Sequence, residues 1–411
     1  MSHWYWLSII VIGLIGQGVI AASPRVTPGI DVFIRQAAQD YKGKTLGLIS
    51  NPTGVTADLQ SDIDVLVSLN DPKLIKLFGP EHGLRGDAYA GDRVDDMTDP
   101  VTGLPIYSLY GKNHKPTREM LQGVDVLLYD IQDIGSRGYT YIYTMALAME
   151  AAAENGIEFV VLDRPSAMRA DIVDGNILDP EFKSFIGMYP IAYVYGMTPG
   201  ELAMYFNREF KLNAKLRVIK MEGYTRNMDY SETGLAWIPP SPHIPRSESA
   251  YFCAATGCMG ELRTVSEGVG YTLPFELCGA EWIDGRKLAS TLNQRRLPGV
   301  IFRPLVYKPY YGPFQGKNCS GVQLILTSRA EFRPFVVQIH LLQAIHQLWP
   351  DQPFLGTLEN AGRKDMFEKA AGTDQIRRAI LQNQSAEQII AAYTPALNQF
   401  LETRRQYLLY P

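Results

Sequence analysis

Several common signatures are missing from this chain, and each absence removes a class of function. Lys and Arg number 39 against 43 Asp and Glu, for a net charge of −4. Without a basic excess or a Lys/Arg tract, the chain offers no electrostatic footprint for nucleic acid. No G-x-G-x-x-G follows the first apolar strand and no G-x-x-x-x-G-K-[ST] occurs anywhere, so dinucleotide and P-loop readings lack their phosphate cradle. H-E-x-x-H is missing as well. Glu81 and His82 are adjacent, so their side chains diverge in an extended segment, and no metal site is expected. G-x-S-x-G is absent, and Gly135-Ser136-Arg137-Gly138 has the wrong spacing for a nucleophile elbow. Cysteine is scarce: Cys253, Cys258, Cys278 and Cys319 all fall in the second half. An even count permits disulfides in an exported chain, but buried free thiols are the simpler expectation. No metal or organic cofactor is implied.

Long apolar runs are confined to the N-terminus. Residues 7–20 read LSIIVIGLIGQGVI, followed by the small residues Ala21, Ala22 and Ser23 and then Pro24. This pattern reads as a signal peptide over residues 1–22, cleaved after Ala21 or Ala22. The preceding MSHWYW carries no Lys or Arg and the run nears bilayer-spanning length, so an uncleaved anchor is the alternative. The chain is thus expected to be exported, periplasmic or extracellular, with no transmembrane partner implied.

The rest is ordinary globular sequence, 46% hydrophobic and 20% charged over 411 residues. At about 150 residues per domain, that length predicts two or three domains. Between residues 41 and 220, strand and helix signals alternate. TLGLIS, LIKLFG, LPIYSLYG, VDVLLYD, EFVVLD and LRVIKME read as strands. Continuous apolar runs such as VDVLLYD suit strands buried on both faces. Residues 59–69 and 141–155 have helical patterning, and Thr198-Pro199-Gly200-Glu201 reads as a capping box opening another helix. This alternation predicts an α/β fold with a doubly wound, mostly parallel sheet over residues 23–245. IPPSPHIPR at 238–246 reads as an extended crossing. Beyond it, mixed strands and amphipathic helices predict a smaller α+β domain over residues 246–411.

In an open α/β sheet the strand C-termini share one edge, and ligands bind in the crevice there. Asn51 follows the first strand, Glu81 and His82 the second, Asp130 and Asp133 a later one, and Asp163-Arg164 the next. They are expected to converge, and carboxylates with a histidine are tools of acid–base chemistry. Glu81 sits in Phe78-Gly79-Pro80-Glu81-His82-Gly83-Leu84-Arg85-Gly86-Asp87, a glycine-bracketed turn. Such a turn holds a carboxylate rigid and partly desolvated, as a general acid requires; a loop ion pair with Arg85 is the plainer role. His82 would orient the acid, shuttle a proton or bind substrate. Arg137 can fork onto a carboxylate, and Tyr139 and Tyr141 offer stacking faces. The plainer reading has Arg137 pairing with Asp130 while Asp133 caps a turn. Asp163-Arg164 is as readily a structural pair, and helix capping accounts for Glu201. Ser241, His243 and Glu267 are placed to form an opposite cleft wall.

These motifs, in this order, resemble the NamZ-type exo-β-N-acetylmuramidases. The stretches are LGLISNPTGV (46–55), LFGPEHGLRGD (77–87), GLPIYSLYG (103–111), DVLLYDIQDIGSRGYTYIYT (125–144), FVVLDRPS (159–166), YGMTPGELA (195–203), PPSPHIP (239–245), SEGVGYTLPFE (266–276) and LPGVIFRP (297–304). The resemblance implies a Rossmann-like domain, a C-terminal α/β domain closing the cleft, and release of terminal N-acetylmuramic acid from the non-reducing end of peptidoglycan fragments. It implies Glu81 as principal catalytic residue, with His82, Asp130, Asp133, Arg137, Asp163 and Arg164 around the sugar. Asn51, Asp87 and Tyr139 lie in the same motifs as candidate contacts. Three stretches depart from the common pattern: Ser166-Ala167-Met168-Arg169 replaces Asn-Pro-Leu-Gly-Gly, His243 follows Ser241-Pro242 where Asn is usual, and Val269 replaces Arg between Gly268 and Gly270.

On this reading Glu81 protonates the leaving oxygen. Either a water held by Asp130 or Asp133, or the substrate's own acetamide, then attacks C1. Arg85, Arg137 and Arg164 are the candidate partners for the lactyl carboxylate. The alternative is an exported protein that binds muropeptides without cleaving them; a hydrolase of the acetamide or lactyl ether is a further rival.

Overall fold

The computed structural model describes residues 25–81, 83–84, 97–355 and 361–411. The leader, His82, Arg85 and Asp87 lie outside the described residues. In chain order the first part comprises α1 (Gly29–Val32), β1 (Thr45–Ser50), α2 (Asp62–Leu69), β2 (Lys73–Gly79), β3 (Met97–Thr98), β4 (Pro105–Ser108), α3 (Arg118–Leu121), β5 (Val126–Asp130), α4 (Tyr141–Glu154), β6 (Glu158–Leu162), β7 (Asp174–Ile177), β8 (Ala192–Val194), α5 (Pro199–Glu209) and β9 (Lys215–Ile219). The second part comprises α6 (Ser249–Gly260), β10 (Leu277–Ala280), α7 (Gly285–Gln294), β11 (Val300–Tyr307), β12 (Cys319–Leu326), α8 (Pro334–Leu348), α9 (Ala361–Ala371), α10 (Gln375–Leu381) and α11 (Ala386–Arg404).

Seven strands form the main sheet in the order β3-β4-β2-β1-β5-β6-β9. All neighbours are parallel except β3, which runs antiparallel to β4. The two-residue alternation of a strand explains why the apolar runs are continuous. Ile49, Leu127, Tyr129, Phe159 and Val161 pack with α4 and α5 on one face. Leu46, Leu48, Val126, Leu128, Val160 and Leu162 pack with α1 and α2 on the other. The winding reverses at β1, which has β2 on one side and β5 on the other, with Ser50 opposite Asp130. That reversal is the switch point at which open α/β sheets hold ligands.

The β7–β8 antiparallel pair interrupts the alternation expected over residues 41–220. Its first strand reads DGNI. Gly175 sits at φ +87°, and a Cβ there would lie 2.7 Å from Tyr193 and 2.8 Å from Phe335. Close approach therefore demands glycine where a strand signal would want a β-branched residue. The smaller sheet is antiparallel in the order β10-β12-β11. The two parts share a core: Ile134, Met168, Tyr193 and Val194 cluster with residues of α6 and α8. The four cysteines are free thiols. Among the described residues, no helix is long and apolar enough to cross a membrane.

Candidate active site at the sheet switch point

The turns after β1, β2 and β5 are locked to one another. Asn51 Oδ1 accepts from the Thr53 amide at 2.9 Å and the Thr53 hydroxyl at 2.5 Å. That hydroxyl in turn accepts from the Gln132 amide at 2.9 Å, tying the first turn to the loop carrying Asp133. Glu81 follows β2 through Pro80, in a turn closed by the Gly83 amide on the Pro80 carbonyl at 3.0 Å. A Cβ on Gly79 would come within 2.9 Å of the Leu84 amide, so the chain can fold back here only with glycine.

Glu81 Oε2 accepts from the Thr140 hydroxyl at 3.0 Å. Thr140 precedes α4, and its hydroxyl caps no backbone amide of that helix. Tyr110, just past β4, lies near the Glu81 carboxylate; burial and then the Glu81 charge push its phenol up to about 12. Glu81 is half-buried. Tyr141 donates to the Pro240 carbonyl at 2.6 Å, pinning the interdomain crossing against this turn. Its hydroxyl senses the charges of both Glu81 and Asp133, so those carboxylates flank it.

Asp133 is buried. Its Oδ2 accepts from the Gly135 amide at 2.6 Å and from the Tyr195 hydroxyl. Its Oδ1 has no hydrogen-bond partner among the described residues. Burial pushes the carboxyl up to about 6, with the Tyr195 hydroxyl and the Gly135 and Ile134 amides opposing. Tyr139 meets the Tyr141 ring edge-on at 4.9 Å, and Ser241 lies beside its hydroxyl. Further along the crossing, His243 Nε2 bonds the Tyr311 hydroxyl at 2.6 Å. Glu267 packs over Gly260, where any Cβ would come within 2.7 Å of the carboxyl carbon. Part of its side chain reaches the surface, but the carboxyl itself is enclosed, and burial followed by Glu261 pushes it up to about 7. Tyr311 also senses the Glu267 charge.

Four predicted contacts are not in the cleft. Asp130 is fully buried and holds Arg164 in a two-point ion pair, Nε to Oδ1 at 2.5 Å and Nη2 to Oδ2 at 2.8 Å. Arg164 also donates to the Val55 carbonyl at 2.9 Å. Asp130 therefore holds no catalytic water, and Arg164 is spent. Asp163, also fully buried, accepts from Gly200 at 2.8 Å, the Thr198 hydroxyl at 2.8 Å and the Tyr410 hydroxyl at 2.6 Å. Its carboxylate caps α5 and anchors the C-terminus, so it does not meet substrate. Arg137 neither pairs with Asp130 nor faces a ligand. Fully buried, it donates to the carbonyls of Asn176, Ile191 and Ala371 at 2.7, 2.9 and 2.6 Å.

Tyr110, Thr140 and Tyr311 were not singled out as site residues by sequence, whereas Tyr141 shared with Tyr139 the expectation of a stacking face. The strand-end rule that found Glu81 applies equally to Tyr110, which follows β4. A groove of about 1100 Å³ opens at the opposite edge of the sheet, lined by residues 115–124 and 154–157, and contains none of these groups.

Family comparisons agree with this architecture. Residues 46–248 match the N-terminal domain of exo-β-N-acetylmuramidase NamZ, and residues 253–410 match its C-terminal domain. The chain is 48% identical over 391 residues to the peptidoglycan β-N-acetylmuramidase NamZ of Bacillus subtilis strain 168, covering 95% of this chain and 92% of that one. Two DUF1343 family proteins of Bacteroides fragilis NCTC 9343 have similar crystal structures, each covering 94% of this chain and 99% of theirs. One is 43% identical with a TM-score of 0.89, the other 31% identical with a TM-score of 0.75. With both domains matched in order, the chain belongs to the NamZ family of exo-β-N-acetylmuramidases.

Proposed function

We propose that this chain is a glycoside hydrolase that releases terminal N-acetylmuramic acid from the non-reducing end of peptidoglycan fragments, in cell-wall turnover. The observation that carries the reading is the placement of Glu81. It follows the end of β2 beside the sheet switch point, its carboxylate held by the Thr140 hydroxyl with Tyr110 nearby. Glycoside cleavage needs a proton for the leaving oxygen and an attacking group at C1. Glu81 supplies the proton. Asp133 offers the unused acceptor Oδ1, and Asn51 Nδ2 lies beside the Tyr141 hydroxyl without a hydrogen bond of full geometry. One acceptor and one donor suit the N–H and C=O of a 2-acetamido group, supporting attack by that acetamide or by a water that Asp133 orients. Of the three arginines considered for the lactyl carboxylate, Arg137 and Arg164 are committed to protein groups, which leaves Arg85. Export is part of the proposal, supported by the apolar run at residues 7–20.

The test is incubation with the muramyl-glucosamine disaccharide and mass analysis of products. The expected product is free N-acetylmuramic acid. Glu81→Gln keeps the shape and removes the acid, so turnover falls by about 10²–10⁴-fold. Near-normal turnover of this unactivated substrate by Glu81→Gln ends the assignment. Saturable binding without released sugar identifies the rival binding protein, which 48% identity to a muramidase does not favour. Released acetate or lactate identifies a different hydrolase.

A further inference from the structure

An exposed aromatic shelf lies beyond the interdomain crossing. Tyr310 and Tyr311 are 58% and 41% exposed, with ring centroids 5.5 Å apart. His243 lies nearly parallel to Tyr311, at 6.1 Å and 21°. The loop presenting them is built to stay put. The Tyr310 amide donates to the Gly270 carbonyl at 2.8 Å. Gly270 sits at φ +93°, and a Cβ there would come within 2.2 Å of the Tyr311 carbonyl oxygen. Leaving two aromatic rings adjacent and exposed forgoes hydrophobic stabilisation, and such patches mark binding surfaces.

The shelf continues from the candidate active site. Tyr141, next in sequence to the Thr140 that holds Glu81, fixes the Pro240 carbonyl. His243 is three residues further on, at most about 11 Å of extended chain. The muramic acid side is assigned to Asn51 and Asp133 at the sheet edge. Across the scissile bond, the linker wall therefore meets the leaving sugar. A pyranose ring presents an apolar C–H face that an aromatic ring removes from water, and His243, bonded to the Tyr311 hydroxyl, holds that ring in place. Glu267, beside Tyr311, supplies no positive counter-charge, so the shelf suits a neutral sugar over a second muramic acid.

We propose that Tyr310, Tyr311 and His243 form the subsite for the neutral N-acetylglucosamine unit on the reducing side of the scissile bond. This rests on the muramidase reading. The experiment compares kcat/KM for the muramyl-glucosamine disaccharide with that for β-muramyl fluoride, whose leaving group is a single atom. The expected result is a fall of about tenfold in the disaccharide-to-fluoride ratio for Tyr311→Ala. Tyr311→Phe, which keeps the ring, retains most of the ratio. Melting temperatures near wild type confirm that the variants are folded. A wild-type ratio in both Tyr311→Ala and the Tyr310→Ala/Tyr311→Ala double variant overturns the subsite. A wild-type enzyme that releases muramic acid from neither substrate overturns the muramidase reading instead.

Discussion

Asp133 has one carboxylate oxygen bonded twice, while the other is buried without a partner among the described residues. An acceptor buried without a partner costs stability, so its retention argues for use by a ligand. Burial holds its carboxyl at about 6, against an ordinary 3.8. The folded state therefore keeps a proton between those values that the unfolded chain has released. The corresponding stabilisation is present below about pH 4 and is lost as pH rises through about 6. Catalysis has the opposite demand, because only the ionised form can accept the acetamide N–H or orient water. The wild-type kcat/KM should thus fall about tenfold per pH unit below about 6. Asp133→Asn should lower activity at neutral pH and flatten that acid limb, while melting higher than wild type at pH 7 by a margin that shrinks towards pH 4. An unchanged acid limb in Asp133→Asn would remove Asp133 from the mechanism.

At the scale of elements, the site depends on β5 and β6 ending in register, and the Asp130–Arg164 pair clamps those ends. Both groups are buried, so removing either strands the other's charge; Asp130→Leu or Arg164→Met alone should cost about 3–5 kcal/mol. The double variant should be less destabilised than the sum of the two, as read from urea unfolding. Strict additivity would mean that the clamp does not couple the strands. The same pair shows where sequence legibility stops. The runs of β1, β5 and β6 and the Thr198–Glu201 capping box were readable because their signals are local. The strand-end rule brought Glu81, Asn51 and Asp133 to the C-terminal edge of the sheet, where the structure holds them. It could not separate Glu81 from Asp130 or Asp163, because what distinguishes them is a partner 34 residues away in one case and 247 in the other. Arg137 misled for the same reason: a guanidinium whose two terminal nitrogens are bonded to backbone carbonyls leaves no trace in charge spacing.

At the scale of the whole molecule, the two matched domains do not behave as separable bodies. Ile134, Met168 and Tyr193 from the first part lie in one core with Phe335 and Leu341 from the second. The chain end then returns to the large sheet. The Leu409 amide donates to Glu201 at 2.7 Å, the Tyr410 hydroxyl donates to Asp163 at 2.6 Å, and the Pro411 carbonyl accepts from Arg226 at 2.9 Å. A buried carboxylate that caps α5 thus depends on a residue at the far end of the sequence. Deleting residues 409–411 should leave Asp163 and Glu201 each short of a donor and expose the ring of Tyr410's pocket, lowering stability by about 2–5 kcal/mol. Tyr410→Phe, which loses the hydroxyl alone, should cost about 1–2 kcal/mol. Because the core is shared, calorimetry should show each variant unfolding in a single transition at lower temperature. A second transition at the wild-type temperature, belonging to a first domain indifferent to the missing tail, would show instead that the sheet carrying Glu81 folds without its C-terminal anchor.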